Sequence, residues 1–180
     1  MDSLTEKQLD MTGLRDLVRT VLQLPDGSVR FADEPFPAGI DAYVTLQHHV
    51  DTPLSYPKRT WDSVTEKSTI RSSQLGRVCI NAYGIGSMRL LNKLRSLLSA
   101  APTVKSELRK LELGLVRMSD VRNISALASP GFEERAVIDL FCTYYQQTKV
   151  DTLRVDAVTV SVDSTTGIDV NNVVIHMEKS

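Results

Sequence analysis

Residues 76–101 read GRVCINAYGIGSMRLLNKLRSLLSAA, and their pattern is strand, glycine turn, helix. Val78, Ile80 and Ala82 alternate with Arg77, Cys79, Asn81 and Tyr83, the period of a strand with one buried face. Gly84 and Gly86 flank Ile85 and let the backbone turn where a Cβ would clash. Leu90, Leu91, Leu94, Leu97, Leu98 and Ala101 then recur at helical spacing, with Arg89, Asn92, Lys93 and Ser96 opposite them. A strand and a helix that are each apolar on one side bury those sides against each other.

Outward from this unit, residues 4–24 have the apolar stripe of a helix in Leu14, Leu17, Val18, Val21 and Leu22. Ser3 or Thr5 would cap it, with Glu6 or Gln8 three residues on, and Pro25-Asp26-Gly27 ends it. Thr12-Gly13 is a point where it would break or bend. Residues 29–31 are a short strand, and 42–50 a longer one, with Val44, Leu46, His48 and Val50 on one face. The Pro-rich stretches 32–41 and 52–61 read as loops, with Trp61 plugging the core edge. Residues 65–72 are polar and β-compatible, and with 76–83 they predict a hairpin or a long arm, weakly specified in register unless a partner orders it.

On the C-terminal side, Pro102 breaks the chain, and Val104, Leu108 and Leu111 mark a second short helix. Residues 113–118 read as a strand and 119–131 as a loop with one helical turn. Residues 132–145 fit both periods, and the aromatic tail FCTYY favours a strand. Residues 155–162 and 173–177 alternate around a turn at STTG. The expected fold class is α+β, a mostly antiparallel sheet flanked by two or three helices with a protruding polar β arm. The organisation is one domain over 1–180: an N-terminal helix in 1–24, the β arm or hairpin in 65–84, a central helix in 86–101 and C-terminal strands in 132–178.

Composition narrows the function. The 180 residues include 21 basic and 22 acidic side chains, a net charge of −1, so no bulk attraction to nucleic acid or anionic membrane is expected. Cys79 and Cys142, the 2 cysteines, sit in apolar runs and read as buried thiols, not a disulfide scaffold or a CxxC site. The acidic N-terminus has no signal-peptide pattern, and no apolar run approaches the ~20 residues of a membrane helix. Folding in the cytoplasm of the producing cell is expected.

No pattern of catalysis or cofactor binding stands out. The Gly84-Ile85-Gly86 turn lacks the third glycine of a dinucleotide fingerprint, since position 89 is arginine, and lacks the Gly-Lys-Ser/Thr of a phosphate loop. His48 and His49 are strand neighbours pointing to opposite faces, which prevents their sharing a metal, and His176 lies far along the chain. Glu133-Glu134-Arg135 reads as a solvated charge cluster. Lys58-Arg59 and Arg71 with Arg77 would form a basic rim on the arm, for solubility, a protein contact or a grazing polyanion. No basic face interleaved with aromatics is visible, which weighs against an RNA-binding module. Pro-rich loops and a polar arm suit an interaction protein better than a pocketed catalyst.

The order of segments carries a resemblance. The N-terminal helix leads to a Phe-x-Asp-x-x-x-Pro loop (Phe31, Asp33, Pro37). AYVTLQ follows at 42–47, then a polar strand, then INAYG with SMRLLNKLRSLL, and finally ERAVIDLFCTYY at 134–145. Over residues 14–162 this resembles the neck-terminator and tail-terminator-like proteins of tailed bacteriophages. The resemblance implies a non-enzymatic structural virion protein, made in the bacterial host cytoplasm and located in the tail or neck. It implies a homo-hexameric ring at the head-proximal end of the tail that stops tube and sheath polymerisation and docks to the head-tail connector. DNA would pass through without specific binding, and no cofactor, metal or membrane is implied.

By that analogy, Thr65, Lys67, Thr69, Arg71, Gln74 and Arg77 are expected at the subunit interface. Phe36, Lys58, Arg59 and Trp61, in loops 35–40 and 52–61, are expected to face the tail or the connector. Two other readings remain: a head-side connector or stopper, and a small cytoplasmic ligand-binding or enzymatic α/β protein that uses the Gly84–Gly86 turn as an anion site at a helix N-terminus.

Overall fold

The computed structural model describes residues 5–34, 42–62, 67–128, 131–151, 159–164 and 169–174. In chain order the elements are β1 (Thr5–Lys7), α1 (Met11–Leu22), β2 (Val29–Phe31), β3 (Tyr43–Pro53), β4 (Lys58–Asp62), β5 (Lys67–Tyr83), α2 (Ser87–Ala100) and α3 (Pro102–Lys110). They continue as β6 (Gly114–Met118), β7 (Arg122–Asn123), β8 (Ala126–Ala128), β9 (Gly131–Glu133), β10 (Arg135–Asp151), β11 (Thr159–Ser164) and β12 (Asp169–Val174). The fold is α+β, as expected. Residues 165–167 of the expected turn at STTG and most of loop 32–41 lie outside the described residues.

β5 and β10 are each 17 residues long and pair antiparallel without a shift, from Arg135 opposite Tyr83 to Asp151 opposite Lys67. At about 3.3 Å per residue this ladder runs roughly 55 Å. Its two flanks are assembled from shorter pieces. β7, β6 and β1 lie in turn along β10, and β3 and β4 lie end to end along β5, with β2 parallel beyond β3. The result is an eight-stranded sheet. β8 with β9, and β11 with β12, form separate two-stranded pairs.

The two faces of this sheet are chemically different. Even-numbered residues of β5 and β10, among them Val78, Ile80, Ala82, Ile138, Leu140 and Cys142, join one buried cluster. Leu14, Leu17 and Val18 of α1, Leu91, Leu94 and Leu98 of α2, and Val104 and Leu108 of α3 complete that cluster. All three helices therefore pack on the even face. Buried odd-numbered residues such as Cys79 and Val137 stand outside it. Burial is also graded along the strand: Val78, Ile80 and Ala82 are inaccessible, whereas the outer part of β5 is mostly half-buried or exposed.

Several elements depart from the sequence reading. The N-terminal helix begins at Met11, not residue 4, because residues 5–7 instead add a strand to β10, with Thr5 opposite Thr148. Asp10 is the N-cap, and its Oδ1 accepts from Gly13 N at 2.8 Å. Gly13 does not break the helix. A Cβ there would lie 2.4 Å from Leu111 Cδ2 and 2.6 Å from Asp10 Oδ2, so glycine is what lets the cap and α3 close in. The expected loop 52–61 is mostly strand: β3 runs through Pro53 and β4 starts at Lys58. Trp61 lies on β4 and is 44% exposed, so it does not plug the core. Residues 119–131 contain β7 and β8, not a helical turn. Residues 132–145 resolve as strand because β10 is clamped between β5 and the short pieces, a tertiary constraint that outweighs its helical period.

The grading of burial sets an expectation for stability. Ile80→Ala, at a fully buried position, should cost about 2–5 kcal/mol. Ile70→Ala, on the same face but half-buried, should cost less than about half as much. Urea midpoints of the two variants measure the difference. Equal losses would mean that the arm is as well packed as its root.

Candidate assembly surface

The predicted contact residues fall mainly on one structure. Lys58, Arg59, Thr60, Trp61 and Asp62 of β4 stand opposite Arg71, Ile70, Thr69, Ser68 and Lys67 of β5. The set expected to touch a neighbouring subunit and the set expected to face the tail or connector are thus brought together on the outer arm. Thr65 and Phe36 lie outside the described residues. Lys67, Thr69, Arg71 and Arg77 share the helix-free face. Gln74 does not share it: it is buried on the helix side, its Nε2 donating to Ser72 Oγ at 3.0 Å. Every residue of β4 is exposed. Beside it, Leu54 and Tyr56 are 52% and 97% exposed.

The root of the arm is held by polar side chains. A bulge between His48 and Val50 shifts the register of β3 against β5. His48 and Asp51 thereby both face the helix side, and His48 Nε2 lies 2.7 Å from Asp51 Oδ1. Tyr144 also donates to Asp51, and burial with that hydrogen bond raises its phenol pKa. The three meet over Gly76, where a Cβ would stand 3.1 Å from Asp51 Oδ1 and 3.2 Å from Tyr144 Cε1. Glycine in the middle of a long strand is explained by this close approach. On the opposite face, Asp139 receives Arg77 Nη2 at 3.1 Å on both carboxylate oxygens and Arg122 Nη2 at 3.1 Å on Oδ2.

The Gly84–Gly86 turn has an occupant of its own. Gly86 N donates to Glu134 Oε2 at 2.7 Å, and Gly84 N donates to Glu134 O at 2.9 Å. A carboxylate of this chain therefore fills the anion position at the N-terminus of α2. This removes the observation on which the ligand-binding reading rested. It also corrects the view of Glu133-Glu134-Arg135 as a merely solvated cluster, since Glu133 pairs with Arg135 and Glu134 joins β10 to α2.

Among the described residues, no group of three or more His, Cys, Asp or Glu is arranged to hold a metal ion. Grooves of ≈ 380 and ≈ 490 Å³ border β6, and neither is lined by a histidine or a cysteine. Among the described residues, no helix is long and apolar enough to cross a membrane. Both cysteines are buried and free. Burial pushes the Cys142 thiol up to about 11, and burial together with Asp139 raises Cys79.

An eight-stranded sheet with one helix layer, open grooves and a long exposed arm defines an α+β scaffold whose distinctive chemistry is on its surface. Residues 11–168 match the family model of the phage neck terminator protein. The chain belongs to that family, whose members are structural proteins of the phage virion. A search of curated proteins gives no match.

Two outcomes follow from this geometry. Glu134→Ala should lower stability by about 1 kcal/mol, the usual size of a lost N-terminal cap, read as a shift of the denaturant midpoint. An unchanged midpoint would mean that water replaces the carboxylate at no cost. Raised thiol pKa values mean that the folded state holds these protons more tightly than the unfolded chain. Stability is then full below about pH 9 and falls as pH rises toward about 11. Cys142→Ala should reduce that alkaline loss, measured as urea midpoints at neutral and alkaline pH.

Proposed function

We propose that this protein closes into a homo-hexameric ring at the head-proximal end of the phage tail. There it ends polymerisation of the tail tube and sheath and presents a docking face to the head-tail connector, while DNA passes through the opening. Family membership supports the location in the neck. The ring reading is carried by the exposed apolar side chains along the arm: Leu54, Tyr56 and Trp61 are 52%, 97% and 44% exposed. Apolar groups gathered on a protruding element favour a protein partner over water.

A ring requires a heterologous contact, one surface against a different surface of the next copy, with a rotation that closes. An arm reaching beyond the helix-covered core supplies the first surface. We assign the contact to the β4 side, with Lys58, Arg59 and Trp61 at its centre and Lys67 and Thr69 behind them. The outer arm, β4–β5–β10, has no helix layer over it, so it gains from a neighbour that covers it.

Trp61→Glu tests this. The side chain lies on the surface, so folding stability should change by less than about 0.5 kcal/mol. Association should fall by at least tenfold, read by sedimentation velocity over a concentration series with negative-stain images of the heaviest species. Wild-type rings with an unaffected variant would move the contact away from the arm. A wild-type monomer at all concentrations would count against self-assembly without a tail.

A further inference from the structure

The sheet face opposite the helices carries arginines that are each held flat or clamped. Arg71 lies 4.0 Å from the centre of the Tyr145 ring, and Arg117 lies 3.8 Å from that of Phe141. Arg135 lies 5.2 Å from the Tyr83 ring, which is stacked on Tyr43 with centroids 4.4 Å apart. Arg77 and Arg122 share Asp139. Register places all of them on one face: Arg77 and Arg117 both stand opposite Phe141, Arg122 opposite Val137, Arg135 opposite Tyr83, and Arg71 opposite Gln147. A basic face interleaved with aromatics, not visible along the sequence, is therefore assembled by the fold.

This face neutralises itself only in part. The Asp139 side chain is 7% exposed and points its charge inward to two guanidinium groups, which stay 44% and 57% exposed. Glu133 pairs with Arg135, Glu112 pairs with Lys7 and also acts on Arg71, and Asp62 stands opposite Lys67, so acidic groups offset part of the charge but are outnumbered by the arginines. A chain of net charge −1 thus concentrates positive charge on one surface, at a cost in mutual repulsion. An arginine stacked on a ring keeps its N–H edge turned outward and loses little freedom on binding.

We propose that this face contacts the phosphate backbone of double-stranded DNA, without sequence preference. Planar forks in fixed positions match phosphate oxygens bidentately. From Tyr83 to Arg71 the strip covers roughly 40 Å of strand, close to the ~34–36 Å of one duplex turn. Guanidinium groups already cover the aromatic rings, so these rings do not offer the bare platforms on which unpaired bases stack. That favours a duplex over a single strand. The inference stands on this face alone and does not require a closed ring.

The test is fluorescence anisotropy of the full chain with a labelled mixed-sequence duplex of about three helical turns, across roughly 50–200 mM salt. Wild type should bind irrespective of sequence, with log K falling against log salt at a slope of about −4 to −5 if all the arginines engage. R71Q/R117Q should weaken binding at least about tenfold at low salt and flatten the slope by about 2. R71K/R117K should keep the slope. R89Q/K93Q, on the exposed side of α2, should change neither, and melting curves should show every variant folded.

No binding at the lowest salt overturns the proposal, as does equal weakening by the α2 variant. Displacement of the duplex by polyglutamate at equal or lower charge concentration assigns the face to an acidic protein instead. Sizing of the same samples separates this from assembly. If R71Q/R117Q changes the oligomeric state, the face is a subunit interface and the DNA contact falls. A monomeric wild type that binds duplex as expected leaves the contact standing and counts only against the ring.

Discussion

The structure depends on one antiparallel ladder, β5 against β10, unbroken over 17 residue pairs. Its strands lie far apart in sequence, so the ladder closes a long loop before any of its contacts form. What compensates is the root, where Val78, Ile80, Ala82, Ile138 and Leu140 meet the helices. Once the root is packed, the outer pairs follow at low entropic cost, because each extends an existing register. The short strands β1, β4, β6 and β7 then find ready edges. That explains why a polar segment such as Thr5–Lys7 becomes strand, although nothing in its own side chains demands it.

The same ladder separates two functions of surface. Even positions at the root are consumed by the helix layer, whereas no helix covers the odd positions, although Cys79, Val137 and Asp139 among them are buried. At the root, that helix-free face is fixed by Asp139 between two arginines and by the Tyr43–Tyr83 stack. Further out, the even face also turns wet, and the ribbon becomes an arm whose flank carries Leu54, Tyr56 and Trp61. Rigidity at one end and exposure at the other suit a subunit that joins larger partners. The polar brace of His48, Asp51 and Tyr144 over Gly76 lies where one regime passes into the other.

Much of this was legible in the chain itself. The strand, turn and helix of residues 76–101 were readable because their periods are local and strong. The short strand at 29–31, the helix after Pro102 and the α+β class followed from the same rules. The arm was legible as a polar β run, though not as a continuation of the central strand. Trp61 was misread because indole burial is a tendency of composition, whereas its place on β4 is set by pairing with Ser68. The cap on α2 was not readable, since Gly86 and Glu134 are 48 residues apart.

The sequence by itself determined the alternation of apolar and polar positions, hence which elements form and which sides they bury. It also carried the segment order that identifies the family. Only the tertiary structure decided which charges and rings become neighbours. Arg77 meets Asp139 across 62 residues, and Arg71, Arg117 and Arg135 find rings on other strands. The physical reason is that periodicity is a property of neighbours along the chain, while electrostatic and stacking partners are chosen by strand register, and register is fixed only when the sheet closes.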